Sequence, residues 1–106
     1  MNSLEVLQKM RLILDKPGSW TKGALARDST QKSIKPQDPK ACQFCLYGAL
    51  AIACKEDNYA AEKVEQILVP ICEDNIADFN DNLHTKHRDI LCALDEAISK
   101  CSTSQS

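Results

Sequence analysis

Apolar positions recur at helical spacing along most of this chain, and proline, glycine or Asn/Asp clusters mark the breaks. Leu4, Leu7, Met10 and Leu14 share a face, and Glu5 with Lys9 forms an i,i+4 pair. This predicts a first helix from about Ser3 to Asp15, capped by Ser3. Lys16-Pro17-Gly18-Ser19 ends it, since proline disfavours a helical residue before it and glycine opens the turn. Asp38-Pro39 reads as the start of a second helix running to about Lys55, with Asp as N-cap and Pro in the first turn. That stretch is apolar nearly all round: Ala41, Phe44, Cys45, Gly48, Ala49 and Ile52 on one side, Leu46, Leu50 and Ala53 on another. Such a helix is central and buried. Gly48 costs it propensity, which a close neighbour, another backbone or the Trp20 ring, would offset.

A third helix begins near Asn58 with Ala61, Val64, Ile67 and Leu68. Pro70 breaks it or starts a further helix, Ile71 to about Phe79, and Asn80-Asp81-Asn82 reads as a turn. Thr85 is the expected cap of the last helix, whose stripe is Ile90, Leu91, Leu94, Ala97, Ile98 and Cys101. Cys92 falls about 200° from Ile90 on that helix and should be exposed. Residues 19–37 are too short and too interrupted for a helix and read as a small hairpin or ordered loop. The expectation is a single all-α domain over residues 1–101, of four to five helices, with a short irregular or hairpin insert between the first two. Residues 102–106 are expected to form a frayed polar tail.

A length of 106 residues agrees with one domain. The longest uncharged run, Ala41 to Cys54, is fourteen residues, short of the ~20 a membrane span needs. The first residues lack the apolar core of a secretory signal, and together these point to the cytoplasm. Six cysteines without a signal read as free thiols acting as small apolar side chains. Net charge is −2, which gives no general reason for nucleic-acid binding. The charge is uneven: residues 1–55 carry nine Lys/Arg and four acids, residues 56–106 four Lys/Arg and eleven acids. Halves that fold against each other account for this, although asymmetry also marks partner faces.

Four constellations could carry chemistry. Cys42-x-x-Cys45 has redox spacing, but a helix starting at Asp38 puts both thiols inside it, with Cys45 in the apolar face and its pKa raised. Cys42, Cys45, His84 and His87 have zinc-like ligand types, yet structural sites favour turns over helix interiors, and no metal or cofactor is expected. Cys45 or Cys42 served by His84 or His87, with Asp81 orienting the imidazole, would make a small cysteine-dependent enzyme. The polar set Trp20, Thr21, Arg27, Asp28, Asn80 and Asp81 reads first as a clasp joining the insert to the turn before the last helix. An Arg27–Asp81 ion pair is its expected centre, and a ligand pocket walled by Trp20 is the alternative. A basic insert with one aromatic is a weak signal for single-stranded nucleic acid.

At these residues the sequence resembles a family of small bacterial and phage proteins with no assigned activity. The resemblance rests on Trp20-Thr21-x-Gly23-Ala24-x-Ala26-Arg27-Asp28, Cys45-Leu46-x-Gly48-Ala49-Leu50, Phe79-Asn80-Asp81 and Ile90-Leu91-x-x-Leu94-Asp95-x-Ala97-Ile98. The chain departs from that pattern at Phe44 and Phe79, where tryptophan is common, and at Gln31, where a turn glycine is common. The resemblance implies a helical domain with Trp20, Arg27, Asp28, Cys45, Asn80 and Asp81 as signature positions, and no activity. The functional expectation is a non-catalytic binding or accessory protein of a bacterium, phage or mobile element that acts through a protein partner. Its binding residues would be Trp20, Thr21, Arg27, Asp28, Cys45, Asn80 and Asp81.

Overall fold

The computed structural model describes residues 2–55 and 57–104, leaving aside the side chains of 103 and 104. Helix α1 (Ser3–Ile13) is followed by a single 3-10 turn at Pro17–Ser19, where the proline and glycine stop it as expected. Its cap is Asn2 rather than Ser3: the Asn2 side chain accepts from Glu5 N at 2.8 Å. The insert then forms three two-residue strands, β1 (Ala26–Arg27), β2 (Ser33–Ile34) and β3 (Gln43–Phe44). They make an antiparallel sheet in the order β2-β1-β3. Register puts Ile34, Ala26 and Phe44 in one row and Ser33, Arg27 and Gln43 in the next. Adjacent residues point to opposite faces, so the apolar row and the polar row lie on opposite faces of the sheet, and Phe44 of the apolar row packs against the helical core. Trp20 pairs with Phe44 on the far side of β3, and the Trp20–Thr21 segment covers that edge.

The second helix is shorter than its sequence pattern suggests. Helix α2 runs Leu46–Cys54 and is capped by Cys45, not Asp38. Asp38 instead closes a turn, accepting from Lys40 N through its side chain (2.8 Å) and from Ala41 N through its carbonyl (2.9 Å). The chain then leaves that turn because Cys42 N donates to Arg27 O at 2.9 Å, and the sheet takes the backbone that local propensity assigned to a helix. Helix α3 (Asn58–Cys72) runs through Pro70 to end two residues later. The carbonyl that Pro70 cannot serve as a donor belongs to Gln66, at an exposed position, where the lost bond costs less than in a buried helix interior. Helix α4 (Ile76–Asp81) starts at an Asn75 cap paired reciprocally with Asp78 (2.8 and 2.7 Å). It therefore contains Asn80 and Asp81, which sequence placed in a turn. Helix α5 (His87–Ser104) begins two residues after Thr85, which is buried. The Asp89 carboxylate accepts from Lys86 N at 2.8 Å and supplies the first-turn bond instead. The expected polar tail is helical to Ser104, and Gln105 and Ser106 lie outside the described residues.

The protein is thus mostly helical with a small three-stranded sheet in place of the irregular insert. Helix α1 packs against α5, α2 and α3. Leu7, Met10, Leu46, Leu68, Ile90 and Leu94 form the centre of one core, each fully buried. Arg11 links the halves of the chain, donating to Asp95 (2.8 Å) and Asp15 (2.7 Å). These contacts hold its guanidinium pKa above the usual value, Asp95 foremost. The α2 glycine has the close neighbour its position implied: a Cβ on Gly48 would lie 1.9 Å from the Leu25 carbonyl oxygen. The insert backbone therefore rests on α2 itself.

Candidate functional site

Asn80 is the hub of the signature residues. It sits in the last turn of α4, 1% exposed. Its Oδ1 accepts from the Trp20 indole Nε1 at 2.7 Å and from Leu46 N at 3.1 Å. Its Nδ2 donates to Thr21 O at 3.1 Å and to Asp81 Oδ1 at 3.0 Å. An asparagine side chain has two acceptor lone pairs and two N–H donors, so every one is used. One of those partners, Leu46 N, belongs to the open first turn of α2. Asn80 and Cys45 therefore cap the same helix from two directions, because Cys45 Sγ accepts from Gly48 N at 3.3 Å.

Asp81 completes the tie. Its Oδ1 also accepts from Gly23 N at 3.0 Å. Gly23 has φ +77°, a backbone conformation that glycine adopts without steric cost. Lys22 Nζ donates to Asn82 O at 2.6 Å and lies 5.3 Å from the Trp20 ring centroid, so residues 20–23 are fastened to 80–82 along their length. His87 closes the far side. Its Nε2 lies 2.6 Å from Leu14 O, and its ring is 6.2 Å from that of Trp20.

Arg27 does not meet Asp81, which corrects the expected ion pair. Its Nε donates to Thr21 Oγ1 (2.9 Å), Nη1 to Gln31 O (3.0 Å) and Nη2 to Lys22 O (3.0 Å). The guanidinium thus pins the polar side of the insert to itself, using backbone carbonyls that have no signature in a sequence. Asp28 works locally too. Its Oδ1 accepts from Thr30 N, Thr30 Oγ1 and Lys32 N at 2.9, 2.6 and 3.1 Å, closing the β1–β2 loop. These bonds, that from the Thr30 hydroxyl first, hold its carboxyl below the usual range.

Of the seven expected site residues, Trp20, Thr21, Cys45, Asn80 and Asp81 converge on one seam. Arg27 reaches it through Thr21, and Asp28 lies at the hairpin end. Sequence reasoning missed Lys22, which looked like one of several solvated lysines, and Gly23, quoted in the motif but assigned no part. The Cys45 thiol is buried, and burial is the main cause of its raised pKa, with the Gly48 and Tyr47 amides opposing and Asp81 adding. Cys42 is exposed and Cys45 buried. The Cys45 position, however, is a helix cap rather than the helix interior that sequence assigned. Among the described residues, no group of three or more His, Cys, Asp or Glu side chains could hold a metal ion.

Residues 1–100 match the profile of a family of unknown function, DUF6197. The chain belongs to that family. No curated protein and no solved structure matches it. Membership in DUF6197 covers all four signature segments, so the clasp lies wholly within the family's matched region. Among the described residues no helix is long and apolar enough to cross a membrane.

Proposed function

We propose that the chain is a non-catalytic accessory protein of a bacterium, phage or mobile element. It acts in the cytoplasm by binding a protein partner, and the signature cluster is the clasp that keeps its binding surface in shape. The observation that carries this reading is the saturation of Asn80. A hub whose four hydrogen-bonding positions are all used inside the fold has none left for a substrate. The cysteine-enzyme alternative draws less support. Asp81 accepts from Gly23 and Asn80 rather than orienting an imidazole, and His87 Nε2 is engaged by Leu14 O. Burial raises the Cys45 pKa, the reverse of what an activated thiol needs. Leu25 and Leu83, in the two loops beside the clasp, are 52% and 86% exposed, and Leu83 is the apolar side chain we assign to the partner contact.

Two measurements test this reading. Thiol-reactive probes on the native protein should find no hyper-reactive cysteine; a Cys45 that labels faster than an unstructured thiol refutes the non-catalytic assignment. Cross-linking in the native host should recover one stoichiometric protein partner, lost on Leu83→Asp with the fold unchanged by circular dichroism. Recovery of the chain alone refutes the partner.

A further inference from the structure

A cavity of about 590 Å³ lies between α2 and α3, away from the clasp, and is lined by Tyr47, Leu50, Ala51, Cys54, Ala61 and Glu65 with the Gln37 and Asn58 amides at its edge. Its volume falls in the range of small-molecule sites, ~300–1,000 Å³. The room comes from sequence: Ala51 and Ala61 stand where larger residues would close two packed helices. Among the described residues, Glu65 is the only charged one lining it. The Tyr47 hydroxyl donates to Glu65 Oε2 at 3.3 Å, which fixes one carboxylate oxygen and leaves the other free. Burial, then Glu65, pushes the Tyr47 pKa up, so the hydroxyl stays a donor at neutral pH.

We infer that this cavity binds a small organic ammonium ion with an apolar body. Its charge is held by Glu65 beside the Tyr47 ring, and its body lies on Leu50, Ala51, Cys54 and Ala61. A carboxylate next to an aromatic ring is a recurring arrangement for ammonium groups, and the other described lining residues are uncharged. Lys55 sets the orientation. It lines the adjoining groove with Gln37, Ala51 and Ile52, two helical turns from Tyr47 or about 12 Å along the axis. The cation is therefore confined to the Glu65 end, and the apolar body points towards Lys55. The site is independent of the partner reading above: neither depends on residues of the other.

Phenethylammonium is a suitable probe, titrated into the full chain and followed by amide chemical shifts. Saturable shifts centred on Tyr47, Ala51, Ala61 and Glu65 are expected. Glu65→Gln should weaken the response at least tenfold, and the neutral isostere 2-phenylethanol should fail to reproduce it. Ala51→Leu, which fills the floor without changing charge, should abolish binding even if Glu65→Gln perturbs the helix. Shifts scattered over the acidic surface, an equal response to 2-phenylethanol, or binding that survives both substitutions overturns the inference.

Discussion

Replacing Gly48 by alanine puts a methyl group where the Leu25 carbonyl already is. The new Cβ would stand 1.9 Å from Leu25 O and 3.0 Å from Leu25 C. The obstacle is backbone and cannot rotate away. Leu25 O also accepts from Cys45 N at 3.1 Å, so moving it strips the bond from the residue that caps α2. Overpacking costs ~1–3 kcal/mol, and a buried donor left without a partner costs a further ~1–3 kcal/mol. Better helix propensity returns ~1 kcal/mol. The net loss is about 3 kcal/mol, a large share of the ~5–15 kcal/mol that holds a domain together. With a urea m-value of ~1–2 kcal/mol/M, the unfolding midpoint should fall by about 2 M. Gly18→Ala is the control. A Cβ there meets nothing within 4 Å, and its stability should stay within ~0.5 kcal/mol of wild type. A Gly48→Ala protein as stable as its parent would mean that the insert does not rest on α2.

A double-mutant cycle of Arg27→Met and Asp81→Asn, read by urea unfolding, should give a coupling energy near zero. Arg27→Met with Thr21→Val should couple by ~1 kcal/mol, and the opposite ranking would restore the ion pair. In native protein the exposed Cys42 and Cys92 should react with a disulfide reagent well before the buried Cys45, Cys54, Cys72 and Cys101; a fast Cys45 contradicts the capping geometry. Burial, with Asp74 and Glu96 adding, pushes the Cys72 thiol from 9.0 up to about 11. A raised folded pKa contributes stability that is complete below the unfolded value and is lost as pH rises through the folded one. The melting temperature should therefore fall between about pH 9 and pH 11, less steeply in Cys72→Ala, and equal slopes would refute the assignment. Gln31 has φ +73°, so Gln31→Gly should raise stability by ~0.5 kcal/mol, strain relief outweighing the added freedom of the unfolded chain; a lower urea midpoint would count against it.

Much of this fold was legible in periodicity. The α3 and α5 stripes, the exposure of Cys92, the hairpin and the close neighbour of Gly48 all follow from spacing and residue size. The misreadings share a physical origin. Asp38-Pro39 carries a strong local helix signal, yet Cys42 N finds Arg27 O across the sheet, and a tertiary bond outweighs a propensity of a few tenths of a kcal/mol. Pro70 reads locally as a break or as the start of a further helix, but near a helix end it removes only one bond, at an exposed site, and α3 runs through it. Most of the signature residues converge in space, but not through the expected bond: charge suggests Arg27–Asp81, whereas the guanidinium takes Thr21 Oγ1 and the Lys22 and Gln31 carbonyls. The α2–α3 cavity has no local sequence signal: Tyr47 and Ala51 stand four residues apart in an apolar run, and Ala61 and Glu65, which complete the lining, come from another helix.

The long reach of Asn80 also sets an order on synthesis. The chain leaves the ribosome from its N-terminus, at ~5–20 residues per second. Trp20 and the first turn of α2 emerge while Asn80, 60 and 34 positions later in the chain, is still unmade. For those seconds the indole N–H and the Leu46 amide have only water, and the open turn of α2 has only its Cys45 cap. The sheet can pair early, since its strands are neighbours in sequence, and its backbone can settle on α2, but the Trp20–Gly23 segment stays unlatched until α4 arrives. A nascent chain stalled before residue 80 would therefore expose the insert to proteases and chaperones, and one stalled beyond α4 would have its latch in place.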